Sequence, residues 1–481
     1  MTKAGARRGG KTFLAATVLA QAIALLRYVA LARLLGPEQL GLAATLVITA
    51  SFFDLISDTG SDRFLIQDRD GDTLPVQKLV QLVYVGRGFA IAAGLVIFAW
   101  PIAQFYKAPE LVHGLVILAL SPLILGFLHL DVRRTQRTSD FRAEAVMIIA
   151  AETSSLVATV IAAWLTHSFT AILYGLITRA IVMVLVSHLR AERPYALAYA
   201  RAHAPRLARF AAPLMLSGLL LFMGSQGDRV LVANRLGFAA LGHYSAVLLL
   251  IYYPAAVILR YMHVIYMPMV AAGRDDDAQR DHASGRLGGQ TQLLALGMAV
   301  GFAIVAPTAV TILYGARFTQ SAMLVGMIGI LQAARFLINW PSTVALAMGR
   351  TRTVLVGNLV RLLAFPGAFL GVALIGGLRG VVVGFIAGEL ISIAASLALL
   401  NRNMGRPLIR GFDRLAAFIL ASVAIVGWNV AIERRSLAGE IGLLVASLLL
   451  AAWIVRRERE AIGEAIALAA RMLKPRAAWR D

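Results

Sequence analysis

Cysteine is absent from the 481 residues, which removes disulfides, thiolate nucleophiles and every cysteine-ligated zinc or iron–sulfur centre. Charge is scarce as well: 15% of the residues are Asp, Glu, Lys or Arg, against roughly a quarter in soluble domains. Acid is scarcer than base, with 26 Asp and Glu facing 46 Lys and Arg for a formal charge of +20. With 59% apolar residues and a mean hydropathy of +0.75, the chain lacks the polar side chains needed to coat a water-soluble body, and a soluble enzyme or extracellular module is excluded. The eight histidines show no metal-ligand spacing, and neither a Walker loop nor a nucleophile elbow occurs. No metal, cofactor or catalytic residue is therefore expected, and ATP is not the power source within this chain.

What the chain has instead is long apolar runs. A helix crossing the hydrocarbon needs about 20 such residues, and fourteen stretches qualify: 12–35, 39–57, 79–105, 111–130, 144–166, 169–189, 208–234, 239–268, 289–314, 321–347, 353–375, 379–400, 411–431 and 437–455. The expectation is an all-α, polytopic membrane protein of about 14 transmembrane helices. Its parts are a six-helix bundle over 1–207, a second over 208–402, an extra helix pair over 403–455, and a basic amphipathic cytoplasmic tail over 456–481. In that tail Ile462, Ile466, Ala469 and Leu473 fall on one face behind Arg456-Arg457-Glu458-Arg459, a pattern suited to the anionic cytoplasmic leaflet. Ala30-Leu31-Ala32 imitates a signal-peptide cleavage site, but Arg27 interrupts the apolar approach, so retention of the first span is expected.

Positive charge tests the parse, because Lys and Arg collect in cytoplasmic loops. With the N-terminus inside, the outer breaks hold seven, Arg33, Lys107, Arg235, Arg317, Arg379, Arg434 and Arg435, and the spans hold seven more, leaving 32 of the 46 on the cytoplasmic side. Both termini are then cytoplasmic, and the cationic excess faces anionic membrane lipid rather than nucleic acid. An internal repeat adds the symmetry. Arg27 to Gly41 and Arg229 to Gly242 both read R-x5-R-L followed by G-x3-L-G. The copies lie six spans apart, an even number, so the halves run parallel about an axis along the membrane normal.

The arginines within spans are Arg27, Arg87, Arg179, Arg229, Arg260, Arg335 and Arg361, against about five acids, Asp54, Glu144, Glu152, Asp228 and Glu389. A charged side chain in hydrocarbon costs at least ~2.5 kcal/mol, so the surplus cations call for a polar interior. Guanidinium forks match phosphate oxygens bidentately and never lose charge, which suits an anionic, phosphate-bearing substrate. Arg87 and Arg179, near span ends, also read as residues that snorkel or brace neighbouring helices. Tyr253, Arg260, His263 and Met267 share one helical stripe. Candidate cavity residues are therefore Arg27, Arg229, Tyr253, Arg260, His263, Arg335 and Arg361, and candidate ion-coupling acids are Asp228 first, then Glu152 and Glu389. Prolines 122, 254, 307, 341 and 366 interrupt spans and free backbone groups there. Asp68-Arg-Asp70-Gly-Asp72 opens like a calcium loop but has Leu79 where a bidentate Glu belongs; it reads as a solvated acidic loop, as does Asp275-Asp276-Asp277.

Ala32-Arg33-Leu34-Leu35-Gly36-Pro37-Glu38-Gln39-Leu40-Gly41, with Asp58-Thr59-Gly60, Leu65-Ile66-Gln67, Phe105-Tyr106-Lys107-Ala108-Pro109-Glu110-Leu111 and Asp228-Arg229 through Gly242-His-Tyr244, resembles the polysaccharide transporter (oligosaccharide flippase) branch of the multidrug/oligosaccharidyl-lipid/polysaccharide exporter superfamily. The resemblance implies two six-helix bundles in a V. It also implies flipping of an undecaprenyl-diphosphate-linked oligosaccharide from the cytoplasmic to the outer leaflet of a bacterial inner membrane, for exopolysaccharide, capsule or lipopolysaccharide synthesis. A polysaccharide polymerase and glycosyltransferases are the expected neighbours. An ion-coupled multidrug or cation antiporter of the same fold is the alternative, although it calls for an acid-dominated cavity; a peptidoglycan lipid-precursor flippase, also of fourteen spans, is the other.

Overall fold

The computed structural model describes residues 3–138, 140–273, 276–404, 411–434, 437–459 and 462–463. Nearly all of them are helical, and no strand occurs among them. The chain forms two compact units, one of Met1–Val257 with Val310–Thr319 and the other of Ile258–Ala309 with Gln320–Asp481.

The first unit contains α1 (Lys3–Leu35), α2 (Pro37–Ile56), α3 (Ser61–Gln67), α4 (Leu74–Ile97), α5 (Ala99–Tyr106), α6 (Leu111–Leu118), α7 (Leu120–Leu125), α8 (Asp131–Arg134), α9 (Arg142–Thr166), α10 (Ala171–Leu189) and α11 (Ala204–Leu236). Helices α12 (Phe238–Ala272) and α13 (Asp277–Tyr314) each contribute residues to both units. The second unit continues with α14 (Ala322–Leu337), α15 (Asn339–Ala347), α16 (Thr351–Arg361), α17 (Ala364–Ile375), α18 (Gly377–Met404), α19 (Gly411–Arg434) and α20 (Leu437–Arg457).

Among the described residues twelve helices, α14 with α15 and α16 with α17 each counting as one, are long and apolar enough to cross a membrane. This is an all-α, multi-pass membrane architecture. The stretch expected as the fourth span is the shorter pair α6 and α7, Leu111–Leu125. Pro122 within it withholds a backbone donor. The expected fourteenth span coincides with α20, and the amphipathic tail lies, beyond residue 463, outside the described residues.

The breaks between spans are set by backbone chemistry. Each break assigned to the outer side, up to the twelfth span, holds a residue with positive φ: Gly36, Lys107, His167, Gly237, Gly315 and Gly376. In the shortest of these breaks, from α1 to α2, α11 to α12 and α17 to α18, one glycine links the two helices, and it takes a backbone conformation that residues with a side chain rarely adopt. The two repeat copies turn alike, Gly36 at φ 82° and ψ 176°, Gly237 at φ 86° and ψ 175°. Pro37, with φ preset, starts α2. Each copy's second glycine then meets the other copy's backbone: a Cβ on Gly41 would stand 1.9 Å from the Phe238 carbonyl oxygen, and one on Gly242 1.9 Å from that of Pro37. In the second unit α17 and α18 approach through Gly367, Ala368 and Gly371 against Gly380 and Gly384, with Gly388 on Ala364. Small residues at four-residue spacing let backbones touch, which is how helices associate without a hydrophobic drive.

The acidic loop departs from its solvated reading. Asp70 and Asp68 pair with Arg206 at 2.6 and 3.4 Å, and Asp72 pairs with Arg134 and Arg193 at 3.2 Å each. Arg137 donates to the carbonyls of Leu65, Ile66 and Asp68 at the end of α3. Arginines between the spans thus tie loops together, something composition alone cannot indicate. Arg33, at the end of α1, likewise donates to the last carbonyls of α13, reaching Leu313 at 2.6 Å and also Ile312, where a cation meets the negative helix end.

Candidate functional site

In the first unit α1, α9 and α10 pack together and bring three charges into one place. Arg27 Nη1 donates to Glu152 Oε2 at 3.0 Å and to Ser155 Oγ at 2.6 Å, and Arg179 Nε donates to Glu152 Oε1 at 2.7 Å. The Arg27 and Glu152 side chains are 13% and 10% exposed, while Arg179 is more open at 33%. Arg179 is therefore an ion-pair partner, its bracing role realised through a carboxylate 125 positions from Arg27.

Helices α11 and α12 add the second copy of the repeat. Arg229 is buried; its Nη1 donates to Gln226 Oε1 at 3.1 Å while its Nε has no hydrogen-bond partner. Asp228, also buried, accepts from the Tyr244 hydroxyl at 2.5 Å. One helical step separates their side chains by about 100°, which is why adjacent Asp228 and Arg229 find different partners. Tyr253 lies in the fields of Arg27, Arg229 and Glu152, Tyr28 beside Arg229, Ser245 and Tyr253, and Tyr314 in reach of Tyr28 and Tyr253. Arg27 and Arg229, equivalent in the repeat, thus share a tyrosine-rich polar neighbourhood.

In the second unit one carboxylate again serves two guanidinium groups. Glu389 Oε1 accepts from Arg335 Nε at 3.0 Å and from Arg361 Nε at 2.7 Å, with Arg361 Nη2 at 2.5 Å, while Oε2 is buried without a hydrogen-bond partner. The glutamate side chain is 1% exposed. Arg260 is exposed on α12 and His263 is half-buried. Their shared stripe with Tyr253 crosses from one unit to the other, since the division falls after Val257. Of the remaining span charges, Arg87 pairs with Asp54, and Glu144 with Arg133 and Gln136.

Of the expected residues, Arg27 meets Glu152 in one cluster and Arg335 and Arg361 meet Glu389 in another, whereas Arg260 and His263 join neither and Asp228 accepts from Tyr244. Sequence reasoning missed Tyr28, Ser155, Gln226, Ser245 and Tyr314. Tyr28 carried a signal, since it follows Arg27 inside the first copy of the repeat; the others are ordinary residues of apolar helices.

A family model described as polysaccharide biosynthesis protein matches residues 30–323. The chain belongs to that family. The succinoglycan biosynthesis transport protein ExoT of Rhizobium meliloti (strain 1021) is 25% identical over 465 residues, covering 93% of this chain and 92% of its own length. Among solved structures, an inward-facing multidrug resistance MATE family transporter of the MOP superfamily superimposes with a TM-score of 0.65 at 14% identity, over 83% of this chain and 95% of its own. The lipid II flippase MurJ in its inward closed conformation also gives 0.65, at 12% identity, over 93% of this chain and 98% of its own. This polysaccharide biosynthesis family member thus has the fold of the exporter superfamily over most of its length.

Proposed function

We propose that the chain is a flippase that carries a lipid-diphosphate-linked oligosaccharide from the cytoplasmic to the outer leaflet of a bacterial inner membrane, both of its termini being cytoplasmic. The reading agrees with the family and with the transport role in the name of the succinoglycan relative. One observation carries it: in each unit two arginines converge on a single carboxylate within apolar spans. So many guanidinium groups inside hydrocarbon need a counter-charge, and a diphosphate supplies oxygens for bidentate pairing. The glycan would meet hydroxyl and aromatic groups such as Tyr253 and Tyr28, and the lipid tail would stay in the bilayer. The coupling acid is Asp228, with Glu152 and Glu389 as further candidates, and the product would pass to a polysaccharide polymerase after glycosyltransferases have built it.

The test is reconstitution into liposomes holding a fluorescent undecaprenyl-diphosphate oligosaccharide, with leaflet location read by a membrane-impermeant quencher. Transfer by the parent and its loss in Arg27→Ala with Arg335→Ala is the expected outcome. Transfer of a cationic dye in place of the lipid-linked sugar would instead make the chain an antiporter.

A further inference from the structure

The two arginine–glutamate clusters have the same composition but opposite polarity. In the first unit the hairpin α9–α10 carries glutamate on its first arm and arginine on its second, Glu152 and Arg179. The hairpin that leads from α16 and α17 into α18 reverses this, with Arg361 first and Glu389 second. In both, a third residue arrives from elsewhere and is again an arginine, Arg27 from α1 and Arg335 from α14. An ion pair that only stapled a hairpin would be complete without it.

The distances rank the partners alike. The hairpin arginine sits at 2.7 Å in each case, Arg179 on Glu152 and Arg361 on Glu389, and the incoming arginine at 3.0 Å. Arg27 and Arg335 each reach the carboxylate through one nitrogen, short of the two parallel bonds that make a fork–fork pair strong. Glu389 Oε2 meanwhile accepts nothing.

We infer that each glutamate is an internal substitute for phosphate: it keeps its hairpin arginine throughout and lends the incoming one, Arg27 or Arg335, to the substrate's diphosphate. The inference rests on the proposed function and narrows it to these two arginines. Sharing makes the exchange feasible. Stripping a buried carboxylate of every cation is strongly unfavourable, but Glu152 retains Arg179 and Glu389 retains Arg361 when the other arginine turns away. A phosphoryl group offers several oxygens to the released fork. The return of the arginine to its glutamate then offsets the binding energy and lets the anion leave. Without this competitor a diphosphate held by arginine in a low-dielectric interior would dissociate slowly.

The test is equilibrium and kinetic binding of farnesyl diphosphate and of inorganic pyrophosphate to the full chain in lipid nanodiscs. Glu152→Gln and Glu389→Gln, by removing the competing anion, are expected to bind both probes about tenfold tighter and release them more slowly, since a charge-assisted hydrogen bond is of that order. Arg27→Ala and Arg335→Ala are expected to bind them about tenfold more weakly. A purely structural pair predicts the reverse for the glutamines, a loosened hairpin with equal or weaker affinity, and that result overturns the inference. Tightening confined to farnesyl diphosphate overturns it as well, because the carboxylate competes for phosphate and not for the prenyl chain. The two glutamines lie in different units, so misfolding of one variant, visible as a lowered melting temperature, leaves the other to decide. If the parent binds neither probe, the proposed function itself fails.

Discussion

Arg260 is the exposed member of the seven span arginines, and its role is separable from those of the four that converge on Glu152 and Glu389. If it grips an anionic head group, Arg260→Ala abolishes export in a complementation assay and Arg260→Lys restores only part, because an ammonium lacks the planar fork; full export by both variants removes it from the site. Asp228 poses a different question. It is buried in a span and accepts from the Tyr244 hydroxyl, and a carboxylate in such a place is costly to keep charged. Asp228→Asn is expected to flip substrate in proteoliposomes at one rate with or without an imposed ion gradient, whereas the parent responds to the gradient. A mutant as responsive as the parent moves the coupling elsewhere. Outside the spans, burial pushes the Asp131 carboxyl up, but hydrogen bonds from Arg134 and the Glu192 backbone outweigh this and hold it below the ordinary carboxylate value. A carboxyl depressed in the folded state stabilises at pH above the unfolded value of about 3.9, and that contribution is lost as pH falls through the folded value. Asp131→Asn therefore melts below the parent at pH 7, and the two melting curves converge below about pH 4. The identity of these residues was legible as charges stranded in apolar runs. Their partners were not, because Arg27 and Glu152 are 125 positions apart and nothing in local spacing relates them.

Spans were legible because hydrocarbon imposes one length and one composition on them; their interruptions were less so. The fourth is two short helices, and a run of apolar letters gives no sign of where a backbone turns within it. Close packing is also hidden from hydropathy. Gly41 and Gly242 look like any span-end glycine, yet each abuts the other repeat's backbone. Gly41→Ala or Gly242→Ala is expected to destabilise by about 1–3 kcal/mol through overpacking. Because both pry the same two helices apart, the double variant should lose less than the sum. Thermal unfolding in detergent measures this, and single variants that melt with the parent would show that α2 and α12 tolerate separation.

At the scale of the whole chain, the excess of 46 Lys and Arg over 26 Asp and Glu pointed to the cytoplasmic face but concealed a second use. Many of those arginines are spent on carboxylates and carbonyls of neighbouring loops, so net charge overstates what anionic lipid can feel. The repeat predicts a parallel relation between halves, and within the first unit its two copies meet through a reciprocal glycine contact. Residue 41 touches 238 while 242 touches 37, the pattern of a twofold, isologous interface in a homodimer. The pairing instructions are therefore written twice and are self-complementary. A chain cut near residue 203, beside the start of α11, yields two pieces that each carry one copy, and co-expression is expected to reassemble them, with Gly41→Ala in one piece costing as much as Gly242→Ala in the other.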